Sequence, residues 1–254
     1  MRPFLLLATR EDDAVADSEF EAFARHGGLG PGELQRLRLD RGPMPDLDLD
    51  DWSGIVLGGS PYCTSDTVKS PTQRRVEREL SALFDEVVAR DVPFLGACYG
   101  IGTLGVHRGG TVDRTYGEPV GTVPVTLTAE GRRDPVLGGL PTTFDAFVGH
   151  KEALVAPPPG AVLLATSGPC PVQAFRVGRN VYATQFHPEL DAEGFIARCL
   201  VYRDEGYFHP DEFDDLAVRL RASSAPFAPR VWRRFVQRYA RDARDRVAPA
   251  RSAT

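Results

Sequence analysis

Val92-Pro93-Phe94-Leu95-Gly96-Ala97-Cys98-Tyr99-Gly100 is the segment most telling of the architecture. Its apolar opening reads as a buried strand, and it runs straight into a cysteine flanked by the small residues Gly96, Ala97 and Gly100. A strand that turns sharply into a helix, here over 101–106, needs small neighbours, because the residue at the elbow is held in a strained backbone conformation. The same turn sets the thiol at a helix N-terminus, whose partial positive charge favours an anion. Immediately upstream, Val76, Leu80, Leu83, Phe84 and Val87 mark one face of a helix over 71–90. Its start is Ser70-Pro71-Thr72-Gln73, with Ser70 as cap, proline at the first helical position and Gln73 completing a capping box. Before it lies a third strand, Gly54-Ile55-Val56-Leu57, so strand, helix and strand follow in the order that implies parallel pairing through a right-handed crossover.

Upstream of these elements, Phe4–Ala8 reads as the first strand, 14–25 as a helix with Phe20, Phe23 and Ala24 on one side, and 34–39 as a second strand. Beyond the elbow the pattern changes to alternation: Val123, Val125 and Leu127 are spaced by two within 120–138, as antiparallel strands require. Further strands are expected at 161–165, 172–176 and 181–186, the last two joined by Gly178-Arg179-Asn180. The expectation is an α/β protein with an open, doubly wound mixed sheet, flavodoxin-like in order, whose second half returns as a meander. A flavin is not expected, since Thr9-Arg10-Glu11-Asp12-Asp13 after the first strand is acidic and lacks glycine. Helices are expected at 192–203, 211–221 and 230–244, with a frayed tail from Val247. The division is a domain over 1–205 and a C-terminal helical extension over 206–254 packed on it. In the last helix Trp232, Phe235, Val236 and Tyr239 recur at helical spacing, so it reads as a packed helix with a solvated arginine face rather than a nucleic-acid arm.

Composition narrows the function classes. The chain has 254 residues, 42% hydrophobic and 26% charged, enough for one sizeable core. A formal net charge of −5 argues against a protein built to grip a nucleic-acid backbone. The opening apolar run is too short for a membrane span and meets Glu11-Asp12-Asp13 at once, so no membrane role is expected. Cys63, Cys98, Cys170 and Cys199 are widely separated with no C-x-x-C pair, which predicts a reducing, cytoplasmic setting and no zinc site; no metal or cofactor is expected.

Three elements carry chemistry. Cys98 at the elbow is the candidate nucleophile. Gln185-Phe186-His187-Pro188-Glu189 closes the last strand, where His187 can move a proton and Glu189 can orient the imidazole and stabilise its charged form. Gly58-Gly59-Ser60 lies at the carboxyl end of the third strand, where open sheets bind ligands and a glycine turn offers backbone N–H groups to an oxyanion.

These motifs, in this order and spacing, resemble the class I glutamine amidotransferases, the family with a Cys-His-Glu triad. The likeness covers roughly 4–203, and within the family the chain is most similar to stand-alone members related to the amidotransferase part of GMP synthetase. The resemblance implies Cys98, His187 and Glu189 as catalytic residues, with the N–H groups of Gly59 and Tyr99 on the oxyanion. It implies a γ-glutamyl thioester at Cys98, ammonia release to a separate synthetase subunit, and a His-containing loop, Val148-Gly149-His150-Lys151-Glu152, beside the substrate's α-amino and α-carboxylate groups. The substrate is a small molecule, glutamine or another γ-glutamyl compound. One position departs from the pattern: Gly102 stands where the family usually carries a glutamine that helps hold the substrate. Two other readings keep the same fold: a hydrolase of other γ-glutamyl amides or peptides, and an inactive regulatory binding protein. Complete GMP synthesis by this chain is not expected, as it has no G-x-x-x-x-G-K-[ST] loop.

Overall fold

The computed structural model describes residues 1–240. The strand before the elbow is β4 (Phe94–Ala97), and the helix after it is α3 (Tyr99–His107). β4 is flanked by β3 (Gly54–Leu57) and β11 (Val181–Thr184), both parallel to it, in registers that pair Leu57 with Gly96 and Thr184 with Ala97. Three adjacent strands therefore end side by side. On the far side of β3 lie β1 (Phe4–Ala8) and β2 (Leu34–Arg38), also parallel. The remaining strands are β5 (Val112–Asp113), β6 (Glu118–Leu127), β7 (Thr143–His150), β8 (Ala153–Leu154), β9 (Val162–Thr166) and β10 (Ala174–Val177). The nine-stranded sheet runs β2-β1-β3-β4-β11-β10-β9-β6-β7, parallel as far as β11 and antiparallel beyond it, and β5 pairs with β8 in a separate ribbon.

The mixed, doubly wound sheet matches the expectation, but its second half is only partly a meander. β9, β10 and β11 follow one another, whereas β6 and β7 form a hairpin that joins through β6 to β9. The segment expected as strand over 120–138 divides: β6 ends at Leu127, Thr128 caps the short helix α4 (Ala129–Arg133), and its hydroxyl accepts from Gly131 N–H. A Thr-capped turn outcompetes the alternation that precedes it. β7 escapes the sequence reading altogether, and His150 ends a strand instead of sitting in a loop.

Helices α1 (Asp13–Gly27) and α2 (Pro71–Ala89) start where their caps dictate. Asp12 accepts from Val15 N–H, and Ser70 accepts from Gln73 N–H. The second half of the expected capping box is not made: Gln73 Nε2 donates to the Cys63 carbonyl at 2.8 Å instead. Alternate residues of β1 separate two cores. Leu5 and Leu7 pack with α2 and α3, while Phe4, Leu6 and Ala8 pack with Phe23 of α1 and with Trp232 and Phe235 of α7 (Ala228–Tyr239). The Trp232 indole donates to the Phe23 carbonyl at 2.7 Å and meets Phe4 edge-on at 5.7 Å. α5 (Ala192–Val201) and α6 (Phe213–Ala222) form a third cluster around Phe147 and Leu190. The part of the last expected helix beyond Ala240, and the tail from Val247, lie outside the described residues.

Candidate active site

The elbow has the strain its composition suggests. Cys98 has φ 54° and ψ −91°, one of two non-glycine residues with positive φ among the described residues. Such a conformation costs on the order of 1–3 kcal/mol and persists only where the surroundings enforce it. Enforcement comes from both sides. Cys98 N–H donates to the Thr184 carbonyl at 2.8 Å, and its own carbonyl accepts from Ile101 N–H. A Cβ on Gly96 would lie 2.7 Å from the Gly100 backbone, so only glycine lets β4 turn this tightly into α3. Tyr99 is the first residue of α3, and its N–H has no intrahelical acceptor for that reason.

His187 reaches the site because β11 lies beside β4. Its N–H donates to the Phe147 carbonyl at 3.1 Å, and its ring is almost fully buried. Nδ1 lies 2.8 Å from Glu189 Oε1, and both His187 and Cys98 line one cavity. Burial opposes the imidazolium, but the Glu189 carboxylate and the Cys98 sulfur outweigh it and raise His187 to about 9. Burial likewise works against the Glu189 carboxylate, yet His187 and Arg198 hold its carboxyl well below the usual range. An ionised Glu189 can only accept, so Nδ1 carries the donated proton and Nε2 is left for the thiol. Gly59, just beyond β3, packs closely on the imidazole: a Cβ there would stand 2.9 Å from His187 Cε1 and 2.6 Å from the Arg10 guanidinium. Gly58, beside it, donates its N–H to the Leu7 carbonyl and backs onto Glu19.

Sequence reasoning missed a chain of buried charges behind Glu189. Arg198 Nη1 donates to Glu189 Oε1 at 3.0 Å, its Nη2 lies 3.7 Å from Glu19 Oε1, and Arg10 Nε donates to the same Glu19 oxygen at 2.8 Å. Charges alternate in sign along this row, so each desolvated ion has an opposite neighbour. Arg10 also donates to the Tyr202 hydroxyl at 3.3 Å. The signal was faint: Glu19 and Arg198 interrupt the apolar faces of their helices, and Arg10 sits in the acidic run after β1.

Two cavities flank Cys98 and share Ser60 and Tyr207 as lining. His150 and Gly102 line the one away from His187. His150 Nε2 lies 2.7 Å from Glu118 Oε2 and Nδ1 lies 2.8 Å from the Glu152 carbonyl, so its ring is held at both nitrogens. Glu118 also accepts from Gln173 at 2.6 Å and from Ser167 at 3.1 Å. Glu118, His150 and the Cys170 thiol have ligand atoms within 4.8 Å of one another, but each of these groups already has a hydrogen-bond partner. The arrangement reads as a closed polar network fixing the end of β7. At the departing position, a side chain on Gly102 would meet Thr64 Oγ1 at 2.9 Å and Glu152 Oε1 at 3.6 Å. Glu152 fills that volume, accepting from Thr64 N–H and hydroxyl and from Ser65 N–H at 2.6, 2.5 and 2.8 Å.

Strand ends that converge on a strained cysteine and a buried His–carboxylate pair define a class of protein, and the family comparison states it directly. The model of the class I glutamine amidotransferases matches residues 38–198, and the chain belongs to that family. Among curated relatives, it is 29% identical over 185 residues to a glutamine-hydrolyzing GMP synthase subunit from Thermoplasma acidophilum, covering 67% of this chain and 86% of that one. It is 33% identical over 158 residues to the GMP synthase of Marinobacter nauticus, covering 58% of this chain but 27% of that enzyme. The chain thus spans about a quarter of that relative's length. In structure it is similar to a glutamine amidotransferase from Thermotoga maritima, with a TM-score of 0.72, 21% identity and coverage of 95% of this chain and 100% of the other. A glutamine amidotransferase from Methylobacillus flagellatus gives 0.69 at 21% identity over 98% and 99%. These two likenesses establish the fold. No helix among the described residues is long and apolar enough to cross a membrane.

Proposed function

We propose that the protein hydrolyses the side-chain amide of glutamine through Cys98 and delivers the ammonia to a separate synthetase protein. The observation that carries this reading is the strained Cys98 at the end of β4, next to the His187–Glu189 pair at the end of β11. Cys98 Sγ attacks the amide carbon as His187 Nε2 takes the thiol proton, and the carbonyl oxygen becomes an oxyanion. The N–H groups of Gly59 and Tyr99 receive it, the second of them at the positive end of α3. Collapse breaks the C–N bond, and His187 gives its proton to the departing ammonia. Water then attacks the γ-glutamyl thioester, losing a proton to His187, and glutamate leaves as the C–S bond breaks and the thiol is restored. Glu189 stabilises the imidazolium in both halves.

For the substrate's amino-acid end, Glu152 supports a carboxylate contact in place of the glutamine side chain usual at position 102. Thr64 donates twice to Glu152 Oε1 and Ser65 once to Oε2, which leaves one lone pair on Oε2 for an α-ammonium. His150 is a second member of this side of the site, held by Glu118. The synthetase reading rests on the likeness to a protein named as a GMP synthase subunit.

The test is intact-protein mass spectrometry after exposure to a glutamine-analogue chloroketone. One adduct per chain is expected, lost in Cys98→Ser and blocked by free glutamine. An adduct at Cys98 that glutamine fails to block would overturn glutamine as substrate, and an adduct elsewhere would overturn the assignment of the nucleophile.

A further inference from the structure

We infer that the cleft between the last turn of α1 and the first turns of α7 binds a small phosphate anion, either inorganic or carried on a mononucleotide. The cleft encloses about 450 Å³ and is lined by Arg25, His26, Arg230, Arg233 and Arg234, with Gly139, Pro229 and Gln237 completing the wall. No carboxylate lines it, in a protein whose formal net charge is −5. Arginine keeps its charge at any physiological pH, and its planar fork matches phosphate oxygens two at a time.

The four guanidiniums differ in what already engages them. Arg25 donates to Asp191 at 2.7 Å, so one of the four is offset. Arg234 is anchored by two carbonyls, Val136 at 2.7 Å from Nε and Pro135 at 3.0 Å from Nη2. That leaves Nη1 lying against Gly139, 2.5 Å from where a Cβ would stand. A guanidinium fixed by its other nitrogens loses little freedom on binding. Arg233 lies over Gly28, the left-handed cap of α1, within 3.6 Å of its Cβ position, and Arg230 stacks on Phe227 at 4.7 Å. Among the described residues, the side chains of Arg230 and Arg233 have no hydrogen-bond or ion-pair partner, and both are exposed. Helical spacing puts Arg230, Arg233 and Arg234 on one face of α7 while Val231, Trp232 and Phe235 are buried in the core. Like charges gathered into one concave space repel each other, and an anion carrying two or more charges relieves that repulsion. The volume falls in the range of small-ligand pockets, and concavity on this scale fits a compact polyanion better than an extended strand.

Isothermal titration calorimetry on the full chain tests this, with inorganic diphosphate and AMP as probes at about 0.1 M salt, near a 10 Å screening length. Saturable one-to-one binding of at least one probe is expected, weakened about 100-fold in the Arg230→Ala/Arg233→Ala double variant as two charged contacts are lost. The melting temperature should not change, because both side chains are exposed. Tighter binding of AMP than diphosphate would show that the nucleoside is also read, and the reverse order would show a site for the bare anion; each supports the phosphate site. Absence of saturable binding by both probes, equal binding by the double variant, or binding confined to an oligonucleotide or polyglutamate would overturn it. Cys98 labelling is independent of this cleft, so its outcome does not bear on the inference.

Discussion

At the level of single residues, the Glu189–His187 pair makes a prediction about protons. His187 is raised to about 9 against an ordinary 6.5, with Glu189 the largest favourable cause. In Glu189→Gln burial is opposed by Cys98 alone, so His187 should titrate well below about 9, as followed by its ring signals in NMR across pH 5 to about 10. An unchanged midpoint would show that Glu189 does not set the imidazole's charge. The sign for stability follows from the same values. Because the folded-state value lies above the unfolded one, the pair's stabilisation through His187 is complete below pH 6.5 and is lost as pH rises through about 9. Glu189 is held low, so its share is present above its ordinary 4.5 and fades as pH falls below it. That Cys98 sits on a strained elbow and that His187 and Glu189 close a strand beside it was legible in the sequence, because a glycine-flanked strand-to-helix turn and a strand-end His-Pro-Glu are local patterns. Arg10, Glu19 and Arg198 were not. Their partners lie 9 positions apart at the nearest, and only the fold brings α1 and α5 together behind the imidazole.

Among the elements, the junction of β4 and α3 is the most tightly specified. Gly96→Ala would push a methyl group into the Gly100 backbone at 2.7 Å, and Gly100 itself lies near the Leu57 carbonyl and cannot retreat. We expect a loss of about 1–3 kcal/mol in urea unfolding, together with slower chloroketone labelling of Cys98. Gly121→Ala in β6, where an added methyl group meets nothing within 4 Å, is the matched control and should stay within about 0.5 kcal/mol. A neutral Gly96→Ala would mean that the elbow is not held by contact with the helix. The short continuous apolar runs of β1, β3 and β4, and the helical spacing of buried residues in α2, could be read directly. β7 could not: Thr143-Phe144-Asp145-Ala146-Phe147-Val148 alternates only in part, and its pairing with β6 is what keeps it extended. The order of the second half of the sheet was hidden for a related reason, since hairpin signals say which strands are joined and not where the pair docks.

For the molecule as a whole, α7 matters out of proportion to its length. The sequence suggests an extension from 206 onward, yet Trp232 and Phe235 lie fully buried in the same core as Phe4 and Phe23. Trp232→Ala removes an edge-on partner of both phenylalanines and the donor to the Phe23 carbonyl. The expected cost is about 3–5 kcal/mol, which for a chain of this size lowers the melting temperature by on the order of 10 °C. Arg238→Ala, on the exposed side of the same helix, should change it by only about a degree or two. A small effect of Trp232→Ala would mean that the extension is dispensable to the core.

The bond between the Trp232 indole and the Phe23 carbonyl joins positions 209 residues apart. A ribosome adds about 5–20 residues per second, so the first strand and helix wait on the order of 10–40 s for the side chain that covers them. Throughout that interval the emerging chain carries Phe4, Leu6 and Phe23 uncovered on one face. The core around β1 and α1 therefore closes only once α7 has been made, and the yield in the cell depends on how well that unfinished face is shielded until α7 arrives.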